Sequence, residues 1–312
     1  VASREKALVL GCTGFVGTRV AQILAEKCYD VHNRSLGSGP DLHILDAARD
    51  SLAWIQPQFI FNCAAKVGSM KYIGEHPVEI YDDNTRMASN LYRAVADVCD
   101  QRVTIINPLS NCSYPGNSSI QKEAEWLDGP PHPSVAPYAY VKRHLYMLSQ
   151  VYAPKIVTVN FILPNSFGPG DHLDPERTHA LSGIIVRMIQ AKRLDAPLFK
   201  IWGSGAPIRE WGYIDDMAEL ITHGATIDEF GLYKPINLAQ NFGYSIMESA
   251  DTIKRLMRYE GELVFDADKS KDGDPIKILD DARFRKFFPY YKFTDHETAL
   301  RRTIAYYENA LS

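Results

Sequence analysis

Four apolar residues in a row, Ala7 to Leu10, run straight into glycine, and the residues beyond switch to helical spacing, with Val16, Val20, Ile23 and Leu24 recurring on one face. A short unbroken apolar run suits a strand buried on both faces of a parallel sheet, and the three- and four-residue recurrence suits an amphipathic helix. The pattern then repeats. Tyr29 to Asn33, Leu42 to Leu45 and Phe59 to Cys63 predict a second, third and fourth strand, Pro77 to Cys99 a long helix with proline in its first turn, and Val103 to Asn107 a fifth strand. Pro137 to Tyr152 reads as a further helix and Ile156 to Leu163 as a sixth strand. Strand and helix in alternation predict an α/β chain with a doubly wound parallel sheet.

Beyond residue 165 the pattern loosens. Loops rich in Pro, Gly and Asp, Gly168 to Pro175 and Lys269 to Pro275, separate the helical stretches His179 to Ala191, Ile214 to Ala225 and Ser245 to Tyr259. The expected organisation is a cofactor domain over residues 1–165, with a returning segment near 211–240. A smaller C-terminal α+β substrate domain would be built from 166–210 and 241–312.

Composition adds exclusions. Apolar residues make up 46% and charged residues 23% of the 312-residue chain, ordinary for a globular protein. The formal charge of −4 offers no overall basic field for nucleic acid or anionic lipid. No run approaches the roughly 20 apolar residues of a membrane helix, and the start VASREKALVLG has no leader-like apolar core. Five cysteines, an odd number without CxxC or zinc spacing, predict reduced thiols, no metal site and a cytoplasmic setting.

The glycines after the first strand carry chemistry. Gly11-Cys12-Thr13-Gly14-Phe15-Val16-Gly17 spells G-x-x-G-x-x-G between strand and helix. Its first glycine permits the tight turn, the second lets backbone amides approach a pyrophosphate, and the third lets helix pack on strand. This is the turn of a Rossmann-type dinucleotide site, with Thr13, Phe15 and Val16 presenting their backbone to the phosphates; the alternative is a tight turn that binds nothing. An NAD-binding sheet commonly ends its second strand on an acid that bonds the ribose 2′-hydroxyl. Here His32-Asn33-Arg34-Ser35 has none, and Arg34 is placed to pair with a 2′-phosphate, which favours NADP(H) over a plain surface arginine. Asp46 is placed either to reach the adenine amino group or to cap the helix from Asp50.

Tyr138 and Lys142, four apart, share a helix face. An ammonium beside a phenol favours its phenolate and makes it a usable proton shuttle. Ser110, just after the fifth strand, lies at the carboxyl edge of the sheet, the ligand edge of an open α/β fold. A hydroxyl there can hold a carbonyl while Tyr138 gives or takes the proton.

With the glycine turn, Asp46, Asn62-Cys63-Ala64-Ala65-Lys66, Asn84, Ser110, Tyr138, Lys142 and Pro164-Asn165, the chain resembles the extended short-chain dehydrogenase/reductases. Within that family it is similar to the GDP-L-fucose synthase group. The segments are Ala64-Ala65-Lys66-Val67-Gly68, Ser110-Asn111-Cys112-Ser113-Tyr114-Pro115, Gly129-Pro130-Pro131-His132, Trp202-Gly203-Ser204-Gly205, Arg209-Glu210, Phe265-Asp266-Ala267 and Asp272-Gly273.

The resemblance implies a GDP-sugar substrate, GDP-4-keto-6-deoxy-D-mannose, epimerised at carbons 3 and 5 and then reduced at carbon 4 by NADPH. It implies that Ala64, Ala65, Lys66, Pro164 and Asn165 line the cofactor with Tyr138 and Lys142. Cys112 and His179 would be the acid/base residues of epimerisation, although a lone cysteine is often a small buried apolar group and a lone histidine a structural one. Arg187, Trp202, Arg209 and Asp272 would hold the nucleotide sugar, and a homodimer is expected through the helices around Asn84–Cys99 and Tyr138–Tyr152. The alternative is a carbon-4 reductase, without epimerisation, of a related GDP-4-keto-6-deoxy-sugar or heptose. Two departures bear on substrate choice: Asn111 where the group has a second serine, and Gly170-Asp171-His172 where it commonly has His-Asp-Asn-Phe.

Overall fold

A computed structural model describes residues 4–35, 39, 41–174, 177–227, 234–266 and 272–312. Ala267, Pro175 and the Lys269 end of the second predicted loop lie outside the described residues. The first half alternates as the periodicity predicts: β1 (Lys6–Leu10), α1 (Phe15–Glu26), β2 (Asp30–Arg34), α2 (Leu45–Ile55), β3 (Phe59–Asn62), α3 (Met70–Glu75), α4 (Pro77–Val98) and β4 (Val103–Ser110). After a short β5 (Ile120–Gln121) come α5 (Ala136–Val151), β6 (Ile156–Leu163) and β7 (Asn165–Phe167). The rest comprises α6 (Ala180–Arg193), β8 (Leu198–Ile201), β9 (Ile208–Arg209), β10 (Trp211–Tyr213), α7 (Ile214–Thr222), β11 (Ile236–Asn237), β12 (Tyr244–Ser245), α8 (Ile246–Met257), β13 (Glu262–Phe265), β14 (Ile276–Leu279), α9 (Phe284–Phe287) and α10 (His296–Ala310).

Six strands form one parallel sheet in the order β11-β6-β4-β3-β1-β2. The chain starts at β1, steps outward to β2 and returns to β3 on the other side. The crevice between β1 and β3 is therefore the topological switch point, where open α/β sheets bind ligands. One face of the sheet is covered by α2, α4 and α5, with Leu52, Ile55, Leu91, Val95 and Leu145 in its core. The other face packs under α1 and α7 through Val20, Leu24, Phe61, Phe161, Met217 and Ile221.

Inside the sheet Asn62, Asn107 and Asn160, on β3, β4 and β6, hydrogen-bond side chain to side chain at 3.0 Å each, and Asn107 also donates to the Tyr92 hydroxyl at 2.8 Å. Buried amides are tolerated only when partnered, and this ladder pins the register of the three strands that end at the ligand edge.

One predicted strand is absent. Leu42 to Leu45 forms a turn and the entry of α2. Asp41 accepts from the His43 amide at 3.0 Å and its carbonyl accepts from Ile44 at 2.9 Å, so the backbone bonds that a strand needs are spent locally. The apolar run reflects the packing of Leu42 and Leu45 against the core rather than strand alternation. The helix expected from Asp50 accordingly starts at Leu45, and β4 runs three residues further than predicted, so Ser110 is its last residue.

A second core, built on α6, α8 and α10, gathers Phe167, Ile185, Trp211, Ile253, Leu300 and Tyr307. Beside it lie a β13–β8 parallel pair and a four-stranded sheet ordered β12-β9-β14-β5. Among the described residues no helix is long and apolar enough to cross a membrane.

Candidate active site

At the carboxyl end of β1 the chain has almost no room. A methyl group on Gly11, whose φ is +72°, would come within 2.7 Å of the Ala64 amide nitrogen and the Cys63 carbonyl. One on Gly17 would come within 2.1 Å of the Gly11 carbonyl oxygen. The glycine turn is thus wedged against the β3 end, where Asn84 fixes the Ala64-Ala65-Lys66 segment. Its amide accepts from the Lys66 nitrogen at 2.8 Å and donates to the Lys66 carbonyl at 2.9 Å. Lys66 itself pairs with Asp83 at 2.7 Å.

Helix α1, with Gly14 as its N-cap, has no side-chain cap and no acid in its first turn. The first amides of α1, at Phe15, Val16 and Gly17, therefore remain as donors for an anion. Together the cradle and the bare helix end fit a dinucleotide pyrophosphate.

Arg34 ends β2 and ties the strand to the turn through its backbone, its carbonyl accepting from the Gly11 amide at 2.8 Å. Its guanidinium is 5.9 Å from the centre of the Trp54 ring and donates to the Asn33 carbonyl. Asp46 stands in the first turn of α2 and pairs with Arg49 at 2.9 Å. Its own side chain is 84% exposed, which makes that pair a weak surface contact.

The end of β4 and the first turns of α5 bring Ser110, Cys112, Tyr138 and Lys142 together. Ser110 Oγ accepts from the Cys112 amide at 3.4 Å and so caps the single helical turn Asn111–Ser113. Lys142 is buried, donates to the Pro108 carbonyl at 2.9 Å and lies 5.1 Å from the centre of the Tyr138 ring. Burial lowers its pKa to about 8, against the pull of the Cys112 and Cys63 thiols.

The phenol of Tyr138 departs from the sequence expectation of an easily formed phenolate. Burial, and then the nearby Cys112, push its pKa up. Burial also raises the Cys112 thiol, opposed by Ser110, Lys277 and Lys142.

His179 reaches the start of α1 from the other core. It precedes α6, and its ring centre lies 5.6 Å from that of Phe15, the first residue of α1. Its Nδ1 is 3.0 Å from a carboxylate oxygen of Asp171, whose side chain is fully buried. Burial pulls the imidazole pKa down, but the hydrogen bond and charge of Asp171 outweigh it, and the net shift is upward.

Pro164 and Asn165 follow β6, and the Asn165 amide donates to the Glu210 carbonyl at 3.3 Å, tying the sheet edge to β9. Glu210 is fully buried, accepting from the Gln240 amide at 2.5 Å and the Leu279 amide at 2.7 Å.

The remaining predicted residues form two groups. Arg187 on α6 lies 5.0 Å from the ring centre of Trp202 and 5.2 Å from that of Phe199. Trp202 itself is 69% exposed and offers a flat apolar face. Asp272 accepts from the Ser204 amide and hydroxyl, both at 2.7 Å, and its carbonyl accepts from Arg209 at 3.0 Å. Burial lowers the pKa of both Arg187 and Arg209, for Arg209 against the charges of Asp274 and Asp272.

Two residues escaped the sequence reading. Asp171 stood there only as part of a variant loop, and Lys277 did not figure at all. Lys277 lies beside Arg209 in the β14–β9 register and pairs with Asp274 at 3.0 Å, and its charge acts on the Cys112 thiol. A Gly-x-Gly-Asp loop ahead of a histidine was the available signal for Asp171. For Lys277 there was none, since a lysine on a short strand looks like a surface residue.

A parallel sheet with a glycine turn at its switch point and a Ser/Tyr/Lys set on its edge defines a nucleotide-dependent enzyme of the short-chain dehydrogenase type. The chain belongs to the NAD dependent epimerase/dehydratase family, whose sequence profile matches residues 7–239. It is 29% identical to a probable GDP-L-fucose synthase of Drosophila melanogaster, over 97% of each chain. With the GDP-L-fucose synthase of Escherichia coli (strain K12) it shares 28% identity, over 94% of this chain and 93% of that one. The crystal structure of a GDP-L-fucose synthetase from Naegleria fowleri bound to NADP superimposes with a TM-score of 0.86 at 29% identity, covering 100% of this chain and 96% of that one.

Proposed function

We propose that this protein converts GDP-4-keto-6-deoxy-D-mannose to GDP-L-fucose, inverting carbons 3 and 5 and then reducing carbon 4 with NADPH. The observation that carries the reading is the half-buried thiol of Cys112 near Ser110 and Tyr138. A reductase needs a hydroxyl pair at the ketone. An enzyme that also moves protons at neighbouring carbons has use for an acid/base on the same turn, and Cys112 supplies that group.

Ser110 and Tyr138 would hold the ketone oxygen, and their O–H dipoles stabilise the enolate that forms when an adjacent C–H proton is removed. Cys112 on one side of the sugar and His179 on the other would exchange that proton, as inversion requires. When bound, NADPH would supply the hydride to carbon 4, and Tyr138 would give the oxygen its proton. The glycine turn, Ala64-Ala65-Lys66 and Pro164-Asn165 would bind the cofactor. Trp202 would cover the base or ribose, and Arg187 and Arg209 would pair with the diphosphate.

Supporting a homodimer, α4 and α5 leave Val78, Tyr81, Tyr140 and Met147 exposed on neighbouring surfaces. The five free thiols suit the cytoplasm. The division into residues 1–165 with 211–240, and 166–210 with 241–312, suits α7 packing on α1 while α6, α8 and α10 share their own core.

The test is incubation in deuterated water. Without NADPH, deuterium should enter the keto-sugar at carbons 3 and 5; with NADPH the product should have the L-galacto configuration of GDP-L-fucose by NMR. A reduced product with both centres unchanged and free of deuterium would leave only a carbon-4 reductase. Cys112→Ser should slow the exchange about a hundredfold, within the range of acid/base catalysis, with NADPH affinity retained. Equal loss of both would remove Cys112 from its role.

A further inference from the structure

The loop between β7 and α6 folds around one carboxylate. Gly168 and Gly170, with φ of +145° and +89°, turn the backbone so that Asp171 points inward, and its side chain has no exposed surface. One oxygen, Oδ1, accepts from the His172 amide at 2.8 Å and lies 3.0 Å from His179 Nδ1. The other, Oδ2, accepts from the His179 backbone amide at 3.1 Å. Thr178 closes the loop by donating to the His172 carbonyl at 2.7 Å. A single carboxylate therefore grips both the backbone and the ring of His179, while Phe15 packs beside the imidazole.

We infer that Asp171 is a positioning residue for His179: its carboxylate fixes the ring and keeps a proton on Nδ1, so that proton exchange with the sugar runs through Nε2. The inference rests on the acid/base reading of His179 and adds to it the group that sets the ring's tautomer and direction.

The chemistry follows from the bond inventory. An ionised carboxylate only accepts hydrogen bonds, so the nitrogen facing it must carry a proton in both charge states of the imidazole. Nε2 is then the atom whose proton comes and goes: bare it is a base, protonated it is an acid. No proton needs to pass to Asp171, whose own pKa is held below the usual carboxylate range: burial raises it, but His179 and two backbone amides together outweigh that. The arrangement puts the imidazolium at a site where it is stabilised before the reaction begins. Other titratable groups surround it. His172 and Arg177 lie on the same segment, and Tyr307 on α10 feels the Asp171 charge. None of them is hydrogen-bonded to the ring in place of Asp171.

The test uses the full-length protein. With 15N-labelled histidine, and His179 assigned by loss of its signals in His179→Gln, the neutral ring should carry its proton on Nδ1. A neutral ring protonated on Nε2 overturns the inference without any substrate present. In Asp171→Asn, an amide can present either an acceptor or a donor to the ring, so the tautomer should become mixed. Deuterium entry into GDP-4-keto-6-deoxy-mannose should fall by about 10- to 100-fold, the usual effect of losing an orienting partner. The pH at which His179 loses its charge should move down, and NADPH affinity should stay as it is. Unchanged exchange and an unchanged pH profile overturn the inference, as does an equal fall in exchange, NADPH affinity and thermal stability. Should Asp171→Asn fail to fold, the tautomer in the native protein decides. Native protein that exchanges no deuterium at all sinks the epimerase reading, whereas a wrong tautomer with normal exchange sinks only the role of Asp171.

Discussion

The two sides of the ligand edge are built from different materials. On the sheet side, the glycine turn works through backbone: Gly11 and Gly17 are held where a methyl would collide with carbonyls, and the open amides of α1 need no particular side chain. On the facing side, built on α6 and β14, the contacts run through side chains: Asp171 on His179, Asp272 with Ser204 and Arg209, and Lys277 near Cys112. Backbone sites are contiguous in sequence and leave a motif. Side-chain sites are contiguous only in space. The first kind suits a cofactor shared by many enzymes, the second a substrate that differs among them.

The sharpest break of that contrast lies where the two sides meet, at Tyr138. Removing its hydroxyl should lower the carbon-4 reduction rate by about 10²- to 10⁴-fold while leaving NADPH binding intact, because the proton donor is lost and the cradle is not. A Tyr138→Phe variant that reduces the ketone at the native rate would end the proton-donor assignment. The same step should depend on pH through Lys142. Its pKa lies at about 8, so the ammonium is present below that pH and lost above it. If the charge assists the phenol, the rate falls as pH rises through about 8, and this limb disappears in Lys142→Met.

A second test asks whether the turn truly acts through its backbone. Gly17→Ala places a carbon 2.1 Å from the Gly11 carbonyl, which no rotamer change can relieve. Overpacking of this kind costs about 1–3 kcal/mol, or roughly ten- to a hundredfold in NADPH affinity if the turn gives way rather than the fold. GDP-sugar affinity, measured alone by calorimetry, should be spared. Loss of both together would mean that the two sides do not behave separately.

Glu210 joins the two sides, and its effect should be smaller and pH-dependent. Burial raises its pKa to about 8 despite the hydrogen bonds from Gln240, Leu279 and Asn241. A carboxyl raised in this way contributes stability that is full below its unfolded value, near 4.5, and is lost as pH rises through about 8. In Glu210→Gln the new NH₂ faces a backbone N–H, and the unpaired donor should cost about 1–3 kcal/mol at pH 5. The gap to the native protein should narrow toward pH 8, as seen in denaturant unfolding at a series of pH values. A gap that widens over that interval would reverse the sign and reject a raised Glu210.

How far the sequence could be read follows from the same division. The alternation of strand and helix, the glycine turn and the Tyr138–Lys142 spacing are local patterns, and each was legible. Leu42 to Leu45 misled because three apolar residues around His43 fit a strand or a helix entry equally, and Asp41, two residues before His43, decided the matter through hydrogen bonds that periodicity does not register. Cys112 and His179 had no local pattern and were found only through resemblance. Asp171 and Lys277 had neither. A buried carboxylate between glycines looks like any loop aspartate until the fold shows what its oxygens face.

Arg34 is where the sheet side is expected to meet the cofactor through a side chain, so it gives the finest test of the comparison. Its carbonyl accepts from the Gly11 and Cys12 amides at 2.8 and 3.4 Å, contacts that alanine would keep. Its guanidinium donates to the Asn33 carbonyl and lies 5.9 Å from the centre of the Trp54 ring, and alanine would remove it from the end of β2. Arg34→Ala should therefore leave thermal stability and the Michaelis constant for NADH as they are, while that for NADPH rises about tenfold, the loss of one charge-assisted contact to a phosphate at a solvated site. The rise should shrink with added salt, since exposed charges are screened within about 10 Å at 0.1 M. An unchanged ratio of the two constants would assign the 2′-phosphate to another group. A rise in both would show that the side chain holds the turn itself, and that the sheet side is less purely backbone than its glycines suggest.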